Sequence, residues 1–182
     1  SLVPGLGTLP GHVSLAASDG RVAFVGHQEW VGTTTRYNQR GVQQIVVLNG
    51  DGSTVEGGVL RTVLAKGSGG GISLALSPDE KSIYATGAVE GAGKRAKVAQ
   101  VVYKFGWTDP KPTVFAGVIE KAGDGKLLNA PRSVAVDKDG NVYVADRGNN
   151  RVAVFKPDGS LLGEIKGIDK VVEPKEVLLF ET

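Results

Sequence analysis

The sequence contains no cysteine and no methionine among its 182 residues. Without cysteine there is no disulfide framework, no thiol nucleophile and no thiolate metal site. No run approaches the roughly 18 apolar residues that a membrane-spanning helix requires, and no amphipathic helix presents a basic face to a membrane surface. Neither sign of charge dominates, since 21 Lys and Arg stand against 19 Asp and Glu. Despite a pI near 8.8, that balance makes no footprint able to neutralise many phosphates, so a nucleic-acid partner is not expected. Only two histidines occur, too few for a three-His zinc site. The chain begins with Ser. Together with the missing Cys and Met, this start gives the expectation of an extracytoplasmic protein, periplasmic or secreted.

What is abundant is glycine, at 27 positions, with 8 prolines and 41% hydrophobic residues. The glycines have no three-residue period, which excludes a collagen-like helix, and the apolar content with a net charge of +2 excludes a disordered chain. Three segments repeat one pattern: GHVSLAASDGRVAFVG from Gly11, GGISLALSPDEKSIYATG from Gly70 and PRSVAVDKDGNVYVADRGNNRVAVF from Pro131. Each reads as an apolar strand, an Asp-containing turn and a second apolar strand. Asp19-Gly20 and Asp139-Gly140 predict two-residue hairpin loops, and Ser77-Pro78-Asp79-Glu80 a slightly longer turn. Period-two alternation at Val134, Val136, Val142 and Val144 argues for strands, and no long window shows a 3.6 period, so almost no helix is expected.

Third strands are expected at 44–48, 100–104 and 151–155, and fourth strands at Leu60–Leu64, Thr113–Ala116 and Leu161–Ile165. Each unit is then a four-stranded antiparallel meander, and meanders recurring every 40–45 residues or so are the signature of β-propeller blades.

The segment Phe115–Gly163 resembles an NHL-type propeller repeat with its preceding linker. The resemblance rests on Ala116-Gly117, Gly123-Asp124-Gly125, Leu128-Asn129-x-Pro131, Val134-Ala135-Val136-Asp137, Gly140 to Asp146, and Asn149-Asn150-Arg151-Val152. It implies an all-β propeller, commonly of six blades, used as scaffold, binder or occasional enzyme. Blade one is expected at about 11–64, blade two at about 70–116 and blade three at about 131–166. Ser14, Ser73, Ser133 and Glu176 fall at equivalent places, spaced 59, 60 and 43 residues apart. Residues 173–182 therefore read as the first strand of a fourth blade. An open ring leaves unpaired edges, so the remaining blades are expected from a larger parent chain or, as the second choice, from oligomerisation.

Two insertions, His27–Gly41 and Ala88–Lys97, account for the longer spacings. Both join second to third strands, on the side from which the innermost strands are entered. One mostly cationic loop face is thus expected to gather His12, His27, Glu29, Trp30, Arg36, Tyr37, Arg40, Glu90, Lys94, Arg95, Lys97, Arg132, Arg147 and Lys175. Loops on a rigid scaffold are where binding residues concentrate. For Trp30 and Tyr37 the competing reading is packing within their own loop, and for the cations a solvated surface. Arg132 is expected either to pair with Asp146 or to contact a ligand. Asp146, Asn150 and Arg151 read as a structural polar network.

The run Asp137-Lys138-Asp139-Gly140-Asn141 has its glycine at the fourth position, not the sixth that an EF-hand loop needs, and reads as a hairpin turn. Gly67 to Gly71 lacks the Lys-Ser/Thr ending of a phosphate loop and precedes a strand. No catalytic residue is assigned. The function expected is a non-catalytic binding or scaffolding propeller whose loop face takes a protein, a glycan or an anionic ligand, with no cofactor. The alternative is a metal-dependent propeller enzyme, a lyase or lactone hydrolase using calcium or zinc, for which His12, His27 and Glu29 are the only ligand set in view.

Overall fold

The computed structural model describes residues 10–16, 20–28, 42–60, 73–86, 89–90, 97–98, 100–106, 113–117, 128–166 and 174–179. Three four-stranded antiparallel sheets account for most of them. The first is β1(Pro10–Ala16), β2(Val22–Gln28), β3(Val42–Leu48) and β4(Thr54–Leu60), in sequence order. Blade two consists of β5(Ser73–Leu76), β6(Ser82–Thr86), β9(Val101–Gly106) and β10(Thr113–Gly117), again as a meander. Between its second and third strands a two-stranded hairpin intervenes, β7(Val89–Glu90) with β8(Lys97–Val98). Blade three is β11(Pro131–Val136), β12(Val142–Asp146), β13(Arg151–Phe155) and β14(Leu161–Ile165). A single 3-10 turn, Arg147–Asn149, is the only helical element among the described residues.

The turns hold these meanders in register, and they correct one expectation. Gly140 N donates to Asp137 O at 3.0 Å and Asp137 N to Asn141 O at 3.0 Å, while only Gly140 has positive φ, +82°. This is a three-residue loop closed by a left-handed glycine, not a two-residue loop with both centres at positive φ. The same bonds recur at Asn49–Ser53 and Lys156–Ser160. In both, the central Asp accepts from a Ser two residues on: Asp51 from Ser53 N at 2.8 Å and Asp158 from Ser160 N at 2.9 Å. The Ser77 turn is one residue longer, and Glu80 takes the left-handed place at φ 55°.

Because the first of these turns is so tight, β4 resumes at once at Thr54, six residues ahead of the expected start at Leu60. The apolar Leu60–Leu64 run misled, and Gly57-Gly58 concealed a strand. His12 and Arg132 fall inside β1 and β11, not just before them. The Ala88–Lys97 insertion, expected as a loop, contains β7 and the first residue of β8. No strand is assigned to residues 174–179.

Among the described residues, one core cluster lies between blades two and three. Ala75, Tyr84, Val102 and Ala116 from blade two meet Leu128, Val134, Val142, Val144, Ala153 and Phe155. Side chains alternate across a strand, so each blade offers one apolar face to either neighbour. Tyr84 packs edge-on to Phe115 with ring centroids 4.9 Å apart. At the inner rim Val134 N donates to Ser73 Oγ at 3.2 Å, joining the innermost strands of adjacent blades. Val177 N repeats that bond to Ser133 Oγ at 3.1 Å. The tail therefore occupies the place of the next innermost strand without forming one. Near the opposite rim, Gly159 passes so close to blade two that a Cβ there would lie 2.3 Å from Phe115 O.

Candidate binding site on the loop face

The best-defined part of the loop face is built around Asp146, the last residue of β12. Its side chain is fully buried, a position that an unpaired carboxylate does not tolerate. Three donors satisfy it: Asn129 N to Oδ1 at 2.6 Å, Asn149 Nδ2 to Oδ2 at 2.8 Å and Arg151 Nε to Oδ2 at 2.7 Å. Arg151, itself 2% exposed, donates through Nη1 to Glu164 Oε2 at 2.8 Å. Lys166 Nζ approaches Glu164 Oε1 at 2.5 Å, which completes a chain of alternating charges. Burial alone would lower the Arg151 pKa; the hydrogen bonds and charges of Glu164 and Asp146 hold it above its usual value. Glu164 is pushed below the ordinary carboxylate value, first by Lys166 and then by Arg151.

This network fixes two loops against each other. Gly148 N donates to Asn129 O at 2.7 Å, and Asn129 Nδ2 returns a bond to Gly148 O at 3.3 Å. The approach requires glycine, since a Cβ at 148 would lie 2.5 Å from Asn129 Cγ. Asn150 ends the 3-10 turn in the left-handed region, at φ 52°, a conformation that Asn tolerates better than most residues. One residue past Asn129, Ala130 adopts φ 49°, and its N–H reaches Gln100 Oε1 of blade two at 2.6 Å. Such backbone strain persists only where the surroundings hold it. Gln100 at the entry to β9, the segment leading into blade three and the β12–β13 turn thus form one continuous rim.

Pro131 pairs with Asp146 across the sheet. Arg132 follows Pro131 into β11 and Arg147 follows Asp146 out of β12, so both lie at the same end of the sheet, and both are half-buried. Lys175 is exposed and stands two residues before Val177, as Arg132 stands two before Val134, so it repeats the Arg132 place one step around the fan. These three expected cations therefore share one rim. His12 lies in β1, His27 in β2 opposite Gln43, and Glu90 opposite Lys97 in the β7–β8 hairpin. Glu29, Trp30, Arg36, Tyr37, Arg40, Lys94 and Arg95 lie outside the described residues.

The expected structural network of Asp146 and Arg151 is present. The roles of Asn129, Asn149 and Gln100 in holding the rim were not read from sequence. A single Gln before a strand carries no signal, and the positive φ of Ala130 has no sequence marker. Asp137 accepts from Asp139 N, Asn141 N, Asn141 Nδ2 and Tyr143 Oη, between 2.8 and 3.2 Å. Its oxygens serve its own turn, as the hairpin reading requires. No group of three or more His, Cys, Asp and Glu suited to a metal occurs among the described residues. No described helix is long and apolar enough to cross a membrane.

The NHL repeat family matches residues 128–155, which run from the rim segment to the end of β13. A 41-residue stretch is 58% identical to the E3 ubiquitin-protein ligase TRIM71 of Rattus norvegicus, covering 22% of this chain and 5% of that protein. The chain therefore spans only a small part of such relatives. Among solved structures, a gluconolactonase from Xanthomonas campestris superposes with a TM-score of 0.53 at 24% identity, covering 86% of this chain and 46% of that one. A chain of a nidogen–laminin complex gives 0.55 at 14% identity, covering 95% and 52%. The sheet order, the inter-blade core and these likenesses agree: the chain has the β-propeller fold, and residues 128–155 of its third blade match an NHL repeat.

Proposed function

We propose that this chain is a non-catalytic propeller scaffold whose loop face binds an acidic surface of another protein. The observation that carries the reading is the rim at Asp146. A fully buried carboxylate and its three donors hold two loops rigidly, and Arg132, Arg147 and Lys175 emerge from or beside that frame at one end of the fan. Preorganised cations lose little conformational entropy on binding, and a field of one sign steers an acidic partner toward them. Glycans or small anions bearing carboxylates suit the same cations. The matched stretch of the ubiquitin ligase and the propeller within the nidogen–laminin complex support a protein-binding use of such blades. We place the protein outside the cytoplasm.

The second reading is a metal-dependent lactone hydrolase or lyase, favoured by the fold likeness to the gluconolactonase. Titration with fluorescent polyglutamate, heparin and single-stranded DNA at several salt concentrations separates the possibilities. Polyglutamate binding that weakens with salt, and is lost in Arg132→Ala/Arg147→Ala/Lys175→Ala at unchanged Tm, supports the proposal. Preference for DNA, or stoichiometric calcium or zinc in the purified protein with lactone turnover, overturns it.

A further inference from the structure

Three turns of the fold share one build: Asn49–Ser53, Asp137–Asn141 and Lys156–Ser160. In each, the first N–H donates to the fifth carbonyl and the fourth N–H to the first carbonyl, at 2.8–3.0 Å. The fourth residue is a glycine in the left-handed region, Gly52, Gly140 or Gly159, at φ +82 to +85°. The second residue differs: Gly50, Lys138 or Pro157. Because proline carries no N–H, a turn of this build closes without one at the second place. Gly50 thus puts at that place a main-chain nitrogen that the turn does not use, beside an amide at the exposed surface, Asn49.

We propose that Asn49 is a site of spontaneous covalent modification, deamidation through attack by the nitrogen of Gly50. Gly50 N bonds to Asn49 Cγ, the Cγ–Nδ2 bond breaks, and ammonia departs with the Gly50 proton, leaving a five-membered succinimide. One water then opens the ring. Cleavage at Cγ gives aspartate, and cleavage at the main-chain carbonyl gives isoaspartate. One water enters and one ammonia leaves, with no oxidant, reductant or enzyme.

The structure selects this pair from the other candidates among the described residues. Asp51, Asp139 and Asp158 also precede glycine, but each of those glycine N–H groups is committed to a bond of 2.9–3.0 Å across its turn. The amides of Asn129, Asn141 and Asn149 donate to Gly148 O, Asp137 Oδ2 and Asp146 Oδ2 at 3.3, 2.8 and 2.8 Å. Their following residues, Ala130, Val142 and Asn150, bear a Cβ that shields the main-chain nitrogen, whereas glycine permits close approach. Asn49 Nδ2 donates to Ser53 Oγ at 3.0 Å at the exposed surface, where water replaces such a bond at small cost.

The two products differ in fit. Aspartate suits the turn, since Asp137 fills the same place in blade three and accepts from Asp139 N and Asn141 N at 3.0 and 2.8 Å. Isoaspartate lengthens the main chain by one carbon inside the turn and turns the Asn49 carbonyl, which accepts from Gly52 N at 2.9 Å, into a free carboxylate. The change is felt next door as well, because Gly50 lies against Gly20, where a Cβ on Gly50 would be 3.1 Å from Gly20 O.

Incubation of the full chain at mildly alkaline pH, folded and in urea, tests the proposal by peptide mass spectrometry with enzymatic methyl labelling of isoaspartate. In the folded protein Asn49 gains one dalton at least tenfold faster than Asn129, Asn141 or Asn149, with isoaspartate in excess. Isoaspartate at Asp51, Asp139 and Asp158 forms at least tenfold more slowly in the folded protein than in urea. Gly50→Pro, which the Pro157 turn shows to be compatible with this build, abolishes the conversion. The isoaspartate form, separated by ion exchange, melts at a lower temperature than the unmodified chain, and Asn49→Asp melts with the unmodified chain. Should Gly50→Pro fail to fold, the rates at each site of the unaltered chain decide alone. Conversion of Asn49 only in urea, or no faster than at the other three asparagines, overturns the proposal. Conversion that persists in folded Gly50→Pro overturns it equally.

Discussion

Replacing Asp146 by Ala tests the frame of the loop face. Asp146 is fully buried and takes three donors at 2.6–2.8 Å, one of them from Arg151, which is 2% exposed. Removing one partner of a buried ion pair leaves a charge without compensation and costs about 3–5 kcal/mol. For a chain of this length that corresponds to a Tm lower by roughly 6–20 °C. Arg151→Met removes the other partner and strands the carboxylate, with a loss of similar size. The double variant Asp146→Ala/Arg151→Met no longer buries a lone charge, so it should lose less than the two single losses together. Urea unfolding of all four proteins measures this coupling directly. Additive losses, or an Asp146→Ala loss below about 1 kcal/mol, would refute the reasoning that the pair acts as one unit.

Three further outcomes follow from other parts of the fold. Gly159→Ala should destabilise by more than about 1 kcal/mol, because φ is +85° and the new Cβ meets Phe115 O of blade two; guanidinium unfolding measures it. Ser73→Ala should cost about 0.5–1.5 kcal/mol by loss of the Val134 N–H acceptor between blades, read by the same unfolding. The Asp137 carboxyl titrates below its ordinary 3.8: burial opposes this, but hydrogen bonds from Asn141, Tyr143 and Asp139 outweigh it. A depressed folded value means that this stabilisation is present above pH 3.8 and disappears as pH falls through the folded value. Asp137→Asn should therefore flatten stability between pH 5 and pH 2, measured by thermal melts across that range.

Much of the architecture was legible because turn chemistry and period-two alternation agree. Arg151–Phe155 and Leu161–Ile165 were read to the residue, and the Ser73, Ser133, Glu176 part of the register reappears as the Ser73–Val134 and Ser133–Val177 bonds. Where signals conflicted the reading slipped. Thr54–Leu60 contains two adjacent glycines, which oppose strand propensity, and the pairing with β3 overrides them. The β7–β8 hairpin pairs only two residues on each side, too few to show alternation. At the rim the chemistry of Asp146 and Arg151 was visible as polar residues among apolar ones. The main-chain bonds of Asn129, Ala130 and Gly148 were not, because they depend on where the backbone turns and not on side-chain type.

The central claim is that adjacent sheets pack face to face around one axis, with blade two's Ala75, Tyr84 and Val102 against blade three's Val134, Val142 and Val144. Nuclear Overhauser contacts between these two sets, measured on methyl- and aromatic-labelled protein, test it most directly. The account predicts strong contacts from Tyr84 and Val102 to the three valines, and none from Tyr143 or Val152 to blade two. Contacts from Tyr143 or Val152 to blade two, with Tyr84 silent toward Val142 and Val144, would contradict it.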